Sequence, residues 1–273
     1  MTQRILLTND DGPHTPFFAF LLERLSSQFE VLAVAPKHQQ SWKAKSVTAA
    51  APLRLERIQI GTKPVYTLDG TPADCVNFAI YNLFKEPPDL VVSGINVGSN
   101  TGLSFLWSSG TVGACLEANL AKLPGLALSQ ELDSENFETL GRGEPLPTEV
   151  LERLRAQTDM VLEEVLAVIC RKPGPFNVPL TWSVNLPFVV RPDWEVKPVD
   201  VAMDLYKSLF HARGDEYWHD LRREDSVRDG SLEGDFEVLK SGHVTLSEVD
   251  PWVLGRLSDT RRQDLMEVFR RKG

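Results

Sequence analysis

Several features that would assign this chain to a membrane-bound or nucleic-acid-binding class are missing from its sequence. No window of 18 residues is apolar enough to resemble a membrane span, and no long apolar stretch follows Met1 as in a signal peptide. Basic residues are outnumbered, 29 against 38 acidic ones, so the net charge is −9 and broad binding to polyanions is not expected. We therefore expect a soluble cytoplasmic protein without nucleic-acid polymer or membrane partners.

Cysteine is scarce, and the cysteines that are present show no pairing pattern. The chain has three, Cys75, Cys115 and Cys170, with neither a CxxC pair nor a histidine cluster beside them. This excludes a disulfide framework and gives no sign of a zinc site. We predict buried free thiols in a reducing compartment.

The composition and the hydrophobic pattern are those of a globular α/β protein. Of the 273 residues, 42% are hydrophobic and 25% are charged, which supports a sizeable buried core. Short apolar runs, typical of strands buried on both faces, alternate with segments of helical periodicity. The predicted strands are 4–8, 31–35, 65–68, 90–92, 126–128 and 180–184, and the predicted helices are 17–25, 72–84, 111–120 and 148–169. This alternation predicts an α/β fold with a mostly parallel sheet and helices on both faces.

Two parts of the chain do not follow this alternation. The polar residues near 131–148, rich in Glu, Gly and Pro, predict an inserted surface connection. The irregular apolar segments after residue 190 predict a hairpin-rich C-terminal extension that ends in a helix near 260–271. We expect a single domain over 1–273, with an α/β core over 1–190 and an oligomerisation extension over 191–273. An intramolecular cap is the alternative role for the extension.

Two adjacent acids follow the first strand directly. The turn reads Thr8, Asn9, Asp10, Asp11, Gly12, and ligands of open parallel sheets bind at the carboxyl ends of the strands. Adjacent carboxylates repel each other unless a positive group lies beside them, and a hard divalent cation such as Mg²⁺ or Mn²⁺ is the simplest such group. The alternative is an ordinary Asp-Gly turn with solvated acids.

A second polar loop follows the predicted strand 90–92. Gly94, Gly98 and Gly102 would let backbone amides approach a ligand closely, and Asn96 and Asn100 offer oxygens to a metal or donors to a phosphate. This loop also leaves the carboxyl end of a strand, so it is predicted to lie near the acidic turn.

Hydroxyl groups open the next helix. Ser108, Ser109, Gly110 and Thr111 place hydroxyls and free backbone N–H groups where an anion would be held. The alternative is that these residues are simply good helix caps.

The familiar nucleotide fingerprints are absent. The first βα turn lacks GxGxxG, no GxxxxGK[ST] occurs, and the two acids are adjacent rather than separated by one residue as in phosphoaspartyl phosphatases. A pyridine-nucleotide oxidoreductase is therefore disfavoured.

Four sequence motifs occur in order along the first 129 residues. They are ILLTNDDG at 5–12, GTPADCV at 70–76, VVSGINVG at 91–98 and SGTVGA at 109–114. Together they resemble the SurE family, the stationary-phase survival protein E nucleotidases. Weaker similarity continues to residue 246, so the resemblance covers nearly the whole chain.

The resemblance implies a Rossmann-like fold and a metal-dependent phosphatase that hydrolyses nucleoside 5′- and 3′-monophosphates, with activity on short polyphosphate in some members. It implies a homodimer or homotetramer, with one divalent metal ion (Mg, Mn or similar) per subunit. The metal ligands that it implies are Asp10, Asp11, Ser41 and Asn96, and the catalytic residues are Asp10, Asp11 and Asn96. The phosphate-binding residues that it implies are Asn9, Gly94, Asn100, Ser109, Gly110 and Thr111. A metal-activated water would be the nucleophile, with Asp10 or Asp11 orienting it or taking its proton.

The chain departs from the family pattern in two loops, 37–42 and 103–108. The change in 37–42 affects how the loop holds Ser41 in place. The change in 103–108 makes the expected pocket for the nucleobase more apolar. Asp250 stands where some members have a histidine proposed to assist catalysis, and the nearby His243 is expected to be structural. The alternative function is a catalytically weak relative that binds nucleotide as a sensor or an assembly subunit.

Overall fold

The structure of the protein is a computed structural model that describes residues 3–171, 174, 176–220, 226–227 and 233–270. Its described strands form a central nine-stranded sheet and two small sheets of two strands each. The strands are β1 (Arg4–Thr8), β2 (Glu30–Pro36), β3 (Leu55–Ile60), β4 (Lys63–Leu68), β5 (Leu90–Val97), β6 (Gly125–Gln130), β7 (Thr181–Leu186), β8 (Val196–Pro198), β9 (Leu205–Tyr206), β10 (Phe210–Arg213), β11 (Glu216–His219), β12 (Ser226–Val227) and β13 (Val244–Val249). The helices are α1 (Pro16–Ser26), α2 (Pro72–Phe78), α3 (Leu103–Ser108), α4 (Gly110–Leu120), α5 (Ser134–Gly141), α6 (Thr148–Ile169), α7 (Asp235–Lys240) and α8 (Asp259–Arg270).

The order of strands across the large sheet is β3-β4-β2-β1-β5-β6-β7-β13-β8. All neighbouring strands are parallel except β3 with β4 and β7 with β13, which confirms the predicted mostly parallel α/β fold. The chain places β2 on one side of β1 and β5 on the other. The direction in which the chain adds strands to the sheet therefore reverses at β1. Such a reversal leaves a crevice beyond the carboxyl ends of β1 and β5, where open α/β sheets bind their ligands.

Alternate residues of β1 enter two different cores. Ile5 and Leu7 pack in a cluster that includes side chains of α1 and α6, whereas Leu6 packs in a second cluster with side chains of α2 and α4. All three are fully buried. The sheet is therefore covered on both faces, and this explains why its central strands read as continuous apolar runs.

Local sequence signals fix where the first helices start. Thr15 caps α1 by accepting a hydrogen bond from the Phe18 amide, and Pro16 occupies the first position of the helix. Thr71 and Asp74 form a capping box at the start of α2. The helix predicted over 72–84 is α2 followed by a π-helical turn at Ala79–Leu83.

The sheet extends further than the sequence pattern predicted. β3 forms an antiparallel hairpin with β4 and was not predicted, because its alternate exposed residues give only a weak apolar signal. β5 continues through Ser93 and Gly94 to Val97, so the prediction that the strand closes at Ser93 is wrong. The register between β5 and β6 shifts between Ser93 and Asn96, and the strand continues past this irregularity.

Two segments predicted to lack secondary structure are helical. Residues 103–108 form α3 instead of a loop, and 131–148 contains α5 and so is not a simple surface connection. Asp133 caps α5 by accepting from the Asn136 amide. Leu132 and Leu146 flank α5 and are buried in the main core, which anchors this inserted segment to the fold.

One part of the C-terminal segment belongs to the large sheet, and another part lies outside it. β13 lies between β7 and β8 in the large sheet, while β10 and β11 form an exposed hairpin, as predicted. The predicted terminal helix is α8, and Arg271 at its predicted end lies outside the described residues. The predicted stop of α6 at Pro173 and Pro175 also falls outside them, and α6 ends at Ile169.

None of the three cysteines forms a disulfide, and only two of them are deeply buried. Cys75 and Cys115 lie in the core, whereas Cys170 at the end of α6 is partly exposed, which corrects the prediction for that residue. Burial raises the pKa of both the Cys75 and the Cys115 thiols, so neither is an activated nucleophile. Among the helices of the described ranges, none has the length and apolar character that a membrane crossing requires.

Candidate functional site

A cavity of about 710 Å³ lies beyond the carboxyl ends of β1 and β5. Because Thr8 at the end of β1 pairs with Ser93 in β5, the turn after β1 lies beside the second half of β5. The predicted site residues that line the cavity are Asp10, Asp11, Ser41, Asn96, Asn100 and Ser109. We call Asp10, Asp11 and Asn96 the floor of the cavity.

Asp10 is held from two sides. Its Oδ1 accepts a hydrogen bond of 2.6 Å from the Thr111 hydroxyl at the start of α4, and its backbone carbonyl accepts one of 2.7 Å from the Gln40 amide. A Cβ on Gly110 would lie 2.9 Å from both Asp10 Cβ and Asp10 Oδ2. Only glycine at position 110 therefore lets the helix start pack so closely against this carboxylate.

Asp11 is bound to the neighbouring strand and to a loop. Its Oδ2 accepts a hydrogen bond of 2.9 Å from the Val97 amide at the end of β5. Gln39 Nε2 lies 3.4 Å from Asp11 Oδ1 and 3.1 Å from Ser41 Oγ. Gln39 thus keeps Ser41 near the acidic pair, although the loop around it differs from the family pattern.

Both floor carboxylates bind protons more readily than ordinary aspartates. Burial, and then the negative charge of Asp11, raise the pKa of Asp10 from 3.8 to about 7, although the Thr111 hydrogen bond opposes this shift. Burial also raises the pKa of Asp11. Both groups therefore sit where a nearby positive charge would stabilise their ionised forms strongly.

The donor set at the floor suits a hard cation. Asn96 Nδ2 donates a hydrogen bond of 2.7 Å to the Gly98 carbonyl. This contact fixes the side-chain amide, whose Oδ1 is the atom that can act as an acceptor or ligand for the cavity. With Ser41 Oγ and the two carboxylates, all the available ligand atoms are oxygens, as Mg²⁺ and Mn²⁺ prefer. No cluster of three or more His, Cys, Asp or Glu side chains suited to a metal occurs in the part of the chain that the structure describes. A metal here would accordingly need the neutral oxygens of Asn96 and Ser41.

Two of the predicted phosphate-binding side chains have structural partners. Ser109 Oγ accepts a hydrogen bond of 3.2 Å from the Val112 amide, so it caps α4, which is the alternative that the sequence left open. Asn100 donates from Nδ2 to Ser129 Oγ at 2.8 Å, and its backbone amide donates to Asn185 Oδ1 at 2.8 Å. These contacts fix the loop after β5 against β6 and β7.

Four predicted phosphate-binding residues do not line the cavity but lie beneath it: Asn9, Gly94, Gly110 and Thr111. Asn9 is fully buried and donates to the Gly12 carbonyl at 2.7 Å, while its Oδ1 has no hydrogen-bond partner among the described residues. A Cβ on Gly94 would lie 2.5 Å from the Leu128 carbonyl oxygen in β6. These residues position the floor, and their contact with phosphate stays a prediction.

Aromatic side chains also line the cavity, and of these the sequence predicted only a more apolar base pocket at 103–108, which contains Phe105. Trp42, Phe105 and Phe137 line the cavity, and we call them the rim. Trp42 follows Ser41, Phe105 lies in α3 and Phe137 lies in α5. Large aromatic residues within otherwise polar segments were the available signal, but only the folded chain shows that they meet at one opening.

The loop over 37–48 connects the rim to the floor. The Ala44 amide donates to the Ser108 carbonyl at 3.1 Å, and a Cβ on Gly113 in α4 would lie 2.1 Å from the Ala44 carbonyl oxygen. Lys45 forms an ion pair of 2.5 Å with Glu117 in the same helix. The loop therefore lies directly on α4.

A buried acid joins the C-terminal segment to the loop after β5. Asp235 accepts hydrogen bonds from the Gly102 amide at 2.9 Å and the Ala202 amide at 3.0 Å. Burial raises the pKa of Asp235, to which the nearby charge of Asp204 adds, and the backbone donors oppose the shift. This contact fixes the chain that leads to Tyr206 behind the rim.

The two residues near the expected catalytic histidine lie elsewhere. His243 is buried, accepts a hydrogen bond from the Glu195 amide at Nδ1 and contacts Arg191 at Nε2, which fits the structural role predicted for it. Asp250 caps a short 3₁₀ turn by accepting from the Trp252 amide at 2.7 Å. Neither residue is among the described residues that line the cavity.

Comparison with known proteins gives a consistent result. The family model described as Survival protein SurE matches residues 5–208. The 5′-nucleotidase SurE of Methanosarcina mazei is 30% identical over 99% of this chain and 98% of its own length, and that of Helicobacter pylori strain HPAG1 is 32% identical over 91% and 92%. The crystal structure of SurE protein from Aquifex aeolicus matches the fold with a TM-score of 0.69 at 24% identity, covering 98% of this chain and 99% of that one.

Proposed function

The chain belongs to the SurE family, and from that membership and the geometry of the cavity we propose that it is a 5′-nucleotidase, which hydrolyses the phosphate ester of nucleoside 5′-monophosphates. The observation that carries the proposal is the floor. The carboxylates of two adjacent residues, the buried Asp10 and the partly buried Asp11, face the same cavity as Asn96 and Ser41, at the switch point of a mostly parallel sheet. We extend the proposal to nucleoside 3′-monophosphates and short polyphosphate, which present the same terminal phosphate.

We propose that the floor and Ser41 hold one divalent cation. The fit rests on the raised pKa values of Asp10 and Asp11 and on a donor set made only of oxygens. Lys240 is the one cationic residue among the described residues that line the cavity, and it forms an ion pair with Glu131, which also lines the cavity. When bound, the cation would supply Lewis-acid activation of the phosphate and of a water molecule.

The protein's own groups have separate tasks in this proposal. Thr111 fixes Asp10 through Oδ1, and the Val97 amide fixes Asp11 through Oδ2, so both carboxylates keep one orientation. A carboxylate oxygen of Asp10 or Asp11 accepts the proton of the attacking water. The positive end of α4, at Gly110 and Thr111, faces the floor, where the Thr111 amide supports Asp10, and its dipole would stabilise the negative charge that develops on the phosphate.

The test is phosphate release from a panel of nucleoside monophosphates after treatment with a chelator, with Mg²⁺ or Mn²⁺ then added back. We expect release only with added metal. Asp11→Asn should lower kcat/KM by at least about a hundredfold, since even residues that only support metal ligands are worth 10–100-fold. Asp69→Asn is the matched control, because Asp69 is an exposed aspartate that follows β4, away from the cavity.

Two results would contradict the proposal: release without any metal, and full activity of Asp11→Asn. Tight nucleotide binding without hydrolysis under every metal would instead favour the sensor or assembly subunit. The altered loop over 37–42 is the observation that keeps this second candidate open.

We also propose that the protein works as a homodimer or homotetramer in the cytoplasm. Support for the oligomer comes from apolar side chains exposed on the C-terminal segment: Phe210, Tyr217 and Trp218 on the β10–β11 hairpin, and Met266, Val268 and Phe269 on α8. Such side chains are rarely left exposed together unless a partner covers them.

A further inference from the structure

Trp42 has an unusual backbone conformation. Its φ angle is 63°, in the left-handed region that favours glycine, and a bulky residue rarely adopts it. Strained residues of this kind persist when the surrounding structure holds them, and they cluster at functional sites. The position of Trp42, directly after Ser41 and at the rim of the cavity, therefore suggests a purpose for the ring.

The Trp42 ring is held by three other aromatic rings. Its centroid lies 4.7 Å from that of His219, 5.8 Å from that of Tyr206 and 6.1 Å from that of Phe105, all in tilted or edge-on arrangements. Tyr206 is itself fixed by a contact of 2.7 Å between its hydroxyl and Ser108 Oγ. The ring thus has one well-defined position, which is the preorganisation that a binding surface needs.

The ring is nevertheless not covered. Trp42 is 39% exposed and lines the same cavity as the floor. It contributes apolar surface beside the polar floor, and its neighbour in sequence, Ser41, is held near Asp11 through Gln39. A ligand whose phosphate lies on the floor would bring its next chemical group toward this ring.

We infer that Trp42 is the platform on which the nucleobase of the substrate stacks. The inference rests on the proposed nucleotidase function and specifies how the nucleoside is recognised. Every nucleobase has an aromatic face that can stack on an indole ring, and such stacking tolerates different bases. The platform therefore selects nucleotides over phosphate esters without a base.

The test compares two substrates that differ only by the base, adenosine 5′-monophosphate and ribose 5-phosphate. We expect Trp42→Ala to raise the KM for adenosine 5′-monophosphate about tenfold, within the range that stacking on an aromatic side chain is worth. The KM for ribose 5-phosphate and the kcat for both substrates should change little. Trp42→Phe, which keeps an aromatic face, should restore most of the discrimination.

Tyr81→Ala is the matched control. Tyr81 lies in the π-helical turn at Ala79–Leu83, is 65% exposed and is not among the described residues that line the cavity. The substitution removes an exposed aromatic ring away from the cavity, so it should leave the ratio of the two KM values unchanged.

A parallel rise in both KM values in Trp42→Ala would overturn the inference, because it would show that the ring only supports the loop. Two KM values that both stay at their wild-type level would overturn it as well. If wild-type protein hydrolyses neither compound, the proposed function fails separately. Equilibrium dialysis of the same two compounds against wild type and Trp42→Ala then still decides whether the base stacks on Trp42.

Discussion

The floor and the rim of the cavity are built in different ways. Asp10, Asp11 and Asn96 lie at the ends of two neighbouring strands, where the order of the sheet brings them together. Trp42 and Phe137 come from a loop and from an inserted helix, and they meet only because distant parts of the chain pack around the opening. The difference suggests that the reaction depends on the common fold, whereas the choice of substrate depends on features of this chain.

The burial of the two regions supports this division. Asp10 is 3% exposed and each floor side chain has a hydrogen-bond partner, while Phe137 on the rim is 52% exposed. A change at the floor has no room to relax, because protein interiors are closely packed. Changes at the floor should therefore alter the rate strongly, and changes at the rim should mainly alter affinity.

Among changes that leave every group of the floor in place, the largest effect is expected for Gly110→Ala, which pushes on the floor. The added methyl group would lie 2.9 Å from Asp10 Oδ2 and must displace this carboxylate. We expect kcat/KM for nucleoside monophosphates to fall up to about a hundredfold, as small misplacements of reacting groups can do. Steady-state phosphate release measures the effect.

Gly141→Ala provides the control for Gly110→Ala, because a methyl group on Gly141 would meet nothing within 4 Å. Its kinetics should match the wild type. If Gly110→Ala retains full kcat/KM, the close packing of α4 on Asp10 has no part in catalysis and the contrast between floor and rim is lost.

A smaller effect, on stability, is expected for Asp235→Ala, which removes the link between the two regions. Alanine has no acceptor for the Gly102 and Ala202 N–H groups, which now donate to the Asp235 side chain. The loss should lower the free energy of unfolding by about 1–3 kcal/mol. Urea unfolding at several pH values measures it.

The pH dependence of that difference has a definite sign. Because the pKa of Asp235 is raised in the folded protein, the folded state binds its proton more tightly than the unfolded state does. The group therefore contributes most stability below its unfolded pKa of 3.8, and this contribution is lost as the pH rises through the raised pKa. The stability difference between wild type and Asp235→Ala should shrink from acidic to neutral pH. A difference that grows over this range would show that the shift has the opposite direction.

The smallest effect is expected at the rim, for Phe137→Ala. Phe137 offers an exposed ring to the cavity, and the interactions of one such ring are worth about 0.5–1.5 kcal/mol. We expect the KM for nucleoside monophosphates to rise about threefold, with kcat unchanged. If kcat falls while KM stays constant, α5 contributes to the reaction itself.

Much of the floor could be predicted from the sequence. The acidic turn and the asparagine loop each follow an apolar strand, and parallel strands end at the same edge of a sheet. Six strands (β1, β2, β4, β5, β6 and β7) and the long helix α6 were predicted for the same reason: their signals are local and periodic. Ser109 and Thr111 were assigned to the right place, but whether they cap the helix, support Asp10 or bind phosphate depends on neighbours that local sequence does not specify.

The rim could not be predicted, because its signals are not local. Trp42 meets His219 and Tyr206 from the C-terminal segment, and no periodicity links residues so far apart. The α5 segment has a polar composition that resembles a connection, and its helix depends on the Asp133 cap and on burial of the flanking Leu132 and Leu146. β3 escaped prediction because its exposed alternate residues hide the apolar pattern.

Gly113 has a consequence for how such a site can evolve. The loop over 37–48 rests on α4 with the Ala44 carbonyl where a side chain at 113 would be, so any larger residue there would lift the whole loop. That loop carries both Ser41 and Trp42. A shift of the loop would move Ser41 and Trp42 together, so within this loop a change of substrate preference has to come from an exchange of side chains on a backbone that stays in place.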